Sequence, residues 1–370
     1  MTKGQHDYVV LDLAHDKNDW LRALILDEIG KSKKIPDPLL LEKAAKEIVQ
    51  TTVDQYAELI LKFVESNLDG IVDKKRSYAR QFEERLLRRW KKPLALLEIL
   101  VQMCYEAGEE LNNECRSTAV ESNDYLFDVL TRLHARGCQV SHEILVLLKA
   151  GLADGAHARW RTLHEIAVVA CFMKDQGSDV AKRYLYHEIT ETYKEALVYQ
   201  KHCRRLGYEP LTDKELEAIR KRSEEVLKTY GKDFREEYGW VPKSILIERN
   251  FAEIEKHVKL GHLRPYYRTA SQNVHSGPKG IGVKLGLLRG GSTKNVLLAG
   301  PSDYGLADPG QNAAISLYQI TTCLLSIRPT FERLGTMKAM QKLVEQINPA
   351  FVEVQLQIEE EEELRSIHSE

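Results

Sequence analysis

Helical spacing of apolar residues governs most of this chain, and it constrains the fold more than any other feature of the sequence. After Pro36, the run "DPLLLEKAAKEIVQTTVDQYAELILKFVESNL" places Leu40, Ala44, Ile48, Val53, Ala57, Leu61 and Val64 near one face of a helix. Asp37 and Pro38 supply a helix-start signal. A second helical segment is expected over 72–91, ending before Pro93, and a third, strongly apolar one from Leu94 to Asn113. The runs "NDYLFDVLTRLHAR" and "SHEILVLLKAGLADGAHARWRTLHEIAVVACFMKD" follow, separated by Gly137, with Asn123 and Ser141 as expected N-caps. A long helix over 178–205 is punctuated by Gly207, and a last amphipathic helix is expected over 311–346.

Two stretches break this pattern. Residues 206–240 contain the mixed-charge run "TDKELEAIRKRSEEVLKTYGKDFRE", which suits a solvated helical insertion. Residues 277–310 are glycine-rich and read as a long irregular loop, in which "VKLGLL" and "NVLLAG" can pair as a small β-hairpin. The expected fold is therefore all-α. An N-terminal helical region (1–95) leads into a larger helical core (96–346), and an acidic tail (347–370) follows, its end frayed.

Composition narrows the function classes. The chain has 370 residues, 43% hydrophobic and 29% charged, as an ordinary globular protein does. Its net charge of −2 excludes a uniformly basic nucleic-acid binder, so any such contact must come from a local patch. No apolar run reaches the roughly 18–20 residues that a membrane span needs. The opening "MTKGQHDYVVLDLAHDKNDW" has no apolar signal-peptide core, so the expected compartment is the cytoplasm, without membrane contact. The six cysteines show no CxxC pair and are expected to be buried thiols.

No metal or cofactor is expected. His-Glu-Ile triplets begin at His142, His164 and His187, but none extends to HExxH, because Val146, Val168 and Glu191 stand where the second histidine would be. Glu-x-x-His, the helical di-iron signature, is absent. "GGSTKN" at 290–295 lacks the spacing of a phosphate-binding loop.

Two stretches can carry anion chemistry. Residues 74–92, "KKRSYARQFEERLLRRWKK", hold nine basic and two acidic residues with interleaved aromatics, and Arg85, Arg88 and Arg89 are candidate phosphate contacts to RNA. A solvated helix face whose arginine stems cover apolar groups is the plainer reading of the same residues. "YYRTASQNVHSGP", Tyr266–Pro278, is the second stretch. Pro265 suits a first helical turn and Gly277 a stop. At about 100° per residue, Tyr267, Ser271 and His275 form a slanting row that ends beside Arg268. A guanidinium, a hydroxyl and an imidazole so placed suit a phosphodiester. Upstream, Arg161 and Glu165 lie four apart on a largely apolar helix, where a charged pair either orients core helices or lines a polar pocket. Arg-x(4–6)-His occurs three times, at Arg136/His142, Arg159/His164 and Arg268/His275, so that spacing is not specific by itself.

Arg161-x3-Glu165, followed about a hundred residues later by Tyr267-x3-Ser271-x3-His275, resembles an uncharacterised all-helical bacterial family of unknown function, over residues 95–345. That family is similar in texture to the HEPN superfamily of helical bundles. The resemblance implies a HEPN-like bundle and a metal-independent endoribonuclease, acting as a toxin or an anti-phage defence effector. Arg268 and His275 would be catalytic, Tyr267, Ser271, Arg161 and Glu165 would bind substrate, and a homodimer would bring the motifs face to face. Thr269 departs from the Asn, Asp or His common after the arginine in active members. The alternative is a non-catalytic binding or sensor subunit that works with a partner protein of the same system.

Overall fold

A computed structural model describes residues 38–275, 277–288 and 297–367. The chain divides into two compact units, Met1–Glu84 and Arg85–Glu370, and the division falls inside the first helix, α1 (Pro38–Arg89). α1 is continuous over 52 residues, so the expected break before residue 72 is absent. Of its predicted apolar stripe, Val53 and Leu61 are exposed. The side chains of Leu40, Ala44 and Ile48 lie outside the described residues.

The second unit is built from α2 (Lys91–Glu121), α3 (Tyr125–Lys149), α4 (Ala153–Gln176), α5 (Ser178–His202), α6 (Asp213–Tyr230), α7 (Phe251–His257), α8 (Arg264–Val274), α9 (Pro278–Gly282), α10 (Ala307–Leu325) and α11 (Phe331–Ile367). α10 is the central helix and packs against α2, α3, α4 and α11. It buries residues on nearly every side, as an all-round apolar helix must. Its small residues admit close neighbours. At Gly310 an added Cβ would fall 2.4 Å from the Phe351 ring of α11.

The joints between helices differ in detail from the sequence expectation. α3 is capped by Asp124, whose Oδ1 accepts from the Phe127 N–H at 3.0 Å, and Asn123 takes the left-handed turn before it. Gly137 and Ser141 do not separate two helices. Both lie buried within α3, where the Ser141 hydroxyl donates to the Gly137 carbonyl and Gly137 makes room for Ile320 of α10. The break falls later, at Gly151, whose φ of 72° is the left-handed conformation glycine adopts freely. The expected last helix over 311–346 is two helices. Pro329 lies between them, and proline disfavours helical geometry in the residue before it.

α11 then runs unbroken to Ile367. Ile347, Phe351 and Ile358 are buried, so the first half of the stretch read as an acidic tail is core. Within 206–240, α6 opens on a full capping box between Thr212 and Glu215 and packs on α5 through Ser223 and Val226. No strand occurs among the described residues, which corrects the β-hairpin expectation. "VKLGLL" is irregular because its backbone finds another partner: the Leu285 N–H donates to Asp154 Oδ1 at 3.0 Å. Asn295 and Val296 of the second predicted strand, and the whole of "GGSTKN", lie outside the described residues.

Candidate functional site

The site forms where α8 lies against α4. Residues four apart share a helix face, so Arg161 and Glu165 project together from α4. Tyr267 of α8 reaches between them. Its hydroxyl donates to Glu165 Oε1 at 2.6 Å and accepts from Arg161 Nη2 at 2.8 Å. Arg161 Nη2 also lies 3.0 Å from Glu165 Oε1, so the three groups close a small ring of charge-assisted bonds. Burial, and then the bond to Glu165, push the Tyr267 phenol well above its ordinary value and keep its proton in place as the donor. Burial likewise pushes the nearby Tyr238 phenol up to about 12, with Glu237 and Glu165 adding to the effect.

A second layer lies beneath. His164, one turn from Arg161 on α4, is fully buried, and its Nε2 bonds Glu255 Oε1 of α7 at 2.7 Å. The other oxygen of Glu255 accepts from Arg264 Nε at 2.7 Å. Thus a single buried carboxylate ties α4, α7 and the first residue of α8. Aromatic packing completes the layer. His157 stacks on Trp160, and Trp160 packs on His164. Phe251 and Tyr267 are 4.9 Å apart, centroid to centroid. The Arg161 and Arg264 guanidinium carbons lie 4.9 and 5.3 Å from the Tyr267 ring centroid. Position of the tyrosine is therefore fixed by two cations, a carboxylate and its aromatic neighbours.

Of the predicted site residues, the fold brings Arg161, Glu165 and Tyr267 together. Ser271 is turned to its own backbone, its hydroxyl donating to the Tyr267 carbonyl at 2.9 Å. α8 ends at Val274, and His275 leaves it with extended backbone (φ −104°, ψ 142°), so the helical row does not continue to the imidazole. The side chains of Arg268 and His275 are both exposed and make no hydrogen bond or ion pair among the described residues, and the His275 backbone N–H donates to the Ser271 carbonyl at 3.1 Å. In the basic stretch, Arg85 and Arg88 are exposed, whereas Arg89 is engaged by Asp303 at 3.1 Å and Glu361 at 2.6 Å. Trp90 beside it is fully buried, with its indole N–H on the Asp303 carbonyl.

The His164–Glu255–Arg264 layer is a feature that sequence reasoning passed over. A signal was present. From Lys256 to Ser302 there is no acidic residue, while Lys256, Lys259, Arg264, Arg268, Lys279, Lys284, Arg289 and Lys294 all fall there. Glu255 is the last carboxylate before this cationic stretch, and the fold buries it as the anchor for the stretch's first arginine. Elsewhere, a groove of about 980 Å³ lies between α2 and α3 and is lined by Tyr105, Arg116, Arg132 and His142 among others; it contains none of the predicted site residues. Among the described residues no three of His, Cys, Asp and Glu gather as a metal site. His187 Nε2 lies 2.8 Å from the Glu236 carbonyl. No described helix is long and apolar enough to cross a membrane.

No curated protein and no solved structure matches the chain. Residues 127–292 match the model of a family of unknown function, DUF5677, a narrower span than the expected 95–345. The matched segment of this protein, which holds Arg161, Glu165, Tyr267, Arg268, Ser271 and His275 and leaves out Arg85, Arg88 and Arg89, is thus similar to that uncharacterised family.

Proposed function

We propose that this chain is a metal-independent endoribonuclease of HEPN type, acting as a homodimer in a toxin or anti-phage defence setting. The observation that carries the reading is the acid-free cationic stretch Lys256–Ser302, in which Arg268 and His275 are exposed. A polyanion is attracted to such a stretch, and its phosphates meet an arginine and an imidazole whose side chains no described residue holds. His275 takes the proton of a ribose 2′-hydroxyl, whose oxygen attacks the adjacent phosphorus. Arg268 stabilises the charge that builds on the phosphate oxygens. The bond to the 5′-oxygen breaks and that oxygen takes a proton from solvent, leaving a cyclic phosphate and a 5′-hydroxyl, while His275 later returns its proton to solvent. Tyr267, held by Arg161 and Glu165, positions α8 and does not itself meet the reacting atoms.

The test is cleavage of a single-stranded RNA by the purified chain in EDTA, beside His275→Ala and Arg268→Ala. Cleavage with 5′-hydroxyl ends is expected, slowed about 10²–10⁴-fold by His275→Ala. RNA left intact by the wild-type chain overturns the nuclease reading. One observation favours the second reading, a non-catalytic binding or sensor subunit: Arg161, Glu165 and Tyr267 are bonded to one another and so are engaged inside the fold. RNA that is bound with a steep salt dependence but never cut would select it.

A further inference from the structure

Cys171 on α4 and Cys323 on α10 face each other across the packed pair of helices. Their sulfurs stand 3.4 Å apart, and both are free thiols. A disulfide needs about 2.05 Å between sulfurs, so closure asks for an approach of only about 1.4 Å, within reach of small side-chain rotations. The other cysteines are placed differently. Cys104 has the Met340 thioether as its sulfur neighbour, and Cys138 lies against His134. Access is unequal within the pair. Cys171 is partly exposed, whereas Cys323 is buried.

We propose that Cys171 and Cys323 are a modification site, a dithiol that low-molecular-weight disulfides oxidise reversibly to a bond tying α4 to α10. The chemistry balances in two exchanges. The Cys171 thiolate attacks one sulfur of the small disulfide and expels the other half as a thiolate, which gives a mixed disulfide on Cys171. Cys323 then loses its proton to solvent and attacks the Cys171 sulfur, expelling the second half. The protein loses two electrons and two protons, and the oxidant becomes two small thiols. The order follows from access, and the hydrogen bond between the sulfurs supports it, since it holds Cys171 below the ordinary thiol range and raises Cys323. Because α4 carries Arg161 and Glu165, the bond would fix the helix that positions Tyr267. The inference does not depend on the nuclease reading.

The experiment uses the full chain, reduced, freed of reductant and exposed to oxidised glutathione in native buffer. The expected result is loss of two hydrogens in the intact mass, a crosslinked peptide joining Cys171 and Cys323, and reversal by dithiothreitol. Cys323→Ser should stop at a glutathione adduct on Cys171. Cys171→Ser should leave Cys323 unmodified, or modified at least about tenfold more slowly. Circular dichroism confirms that each variant is folded before it is tested. An unchanged mass, bonds joining other cysteines, or equal reactivity of Cys323 in the Cys171→Ser chain would each overturn the proposal.

Discussion

Glu255→Ala should be among the most destabilising single changes at the site. The carboxylate is 1% exposed and has two partners, each at 2.7 Å: His164 Nε2 and Arg264 Nε. Removing one member of a buried pair costs about 3–5 kcal/mol, because the remaining group stays desolvated without a partner. The two survivors differ. The Arg264 side chain is 28% exposed and regains some water, which pulls the cost toward the lower end of that range. His164 is fully buried, and its Nδ1 already lacks a partner among the described residues, so the variant leaves both ring nitrogens without one there. A loss of about 3–4 kcal/mol follows, and at roughly 2–4 °C per kcal/mol the melting temperature should fall by about 6–16 °C. Urea titration of the full chain, followed by circular dichroism and tryptophan fluorescence, measures it. Trp160 packs on His164 and reports the layer directly. Glu255→Gln keeps an acceptor for one partner and should fall between wild type and alanine. A loss below about 1 kcal/mol for Glu255→Ala would refute the argument that this carboxylate ties three helices.

Tyr267→Phe should cost only about 1–2 kcal/mol, because Arg161 and Glu165 keep their direct 3.0 Å contact when the hydroxyl goes; chemical denaturation reads the difference from Glu255→Ala. Gly108→Ala should destabilise by about 1–3 kcal/mol, since the new methyl would fall 2.1 Å from His134 Cε1 in a buried contact between α2 and α3; an unchanged urea midpoint would show that this joint is loose. His157→Phe should hold or raise stability at pH 7, as neither ring nitrogen of His157 has a partner among the described residues and the ring stacks on Trp160. Burial lowers His157 to about 4, below the unfolded value near 6.5, so the folded state binds fewer protons between those values. Its contribution is therefore present above about pH 6.5 and lost as pH falls toward 4. Urea midpoints from pH 7 to 4.5 should show a shallower acid-side loss in His157→Phe, with the remaining slope carried in part by His134, which burial also lowers to about 4.

Much of the fold was legible because its cause is local. Helical spacing of apolar residues needs no tertiary information, and the helical character of the chain follows from it. Joints were less legible because competing signals look alike in one dimension. Gly137 and Ser141 have the composition of a break, yet Gly137 is small to admit Ile320, and Ser141 bonds back along its own helix. Gly151 makes the turn with the same residue type. The hairpin failed for a related reason: alternating apolar residues describe a strand only if another strand supplies the hydrogen bonds, and here Asp154 supplies one.

At the site, the sequence alone determined which residues were available: the four-residue spacing that puts Arg161 and Glu165 on one face, and the placement of Tyr267 in a short helix bounded by Pro265 and Gly277. It also determined the run of positive charge from Lys256 to Ser302. Tertiary structure decided which of these meet. It set the Tyr267 hydroxyl between Arg161 and Glu165, turned Ser271 onto its own backbone, and ended α8 one residue before His275. It also buried Glu255 between His164 and Arg264, residues about a hundred positions apart in the chain. Spacing along a helix fixes angles within that helix only, whereas hydrogen bonds between helices depend on how the helices pack, and that is set by the whole core at once.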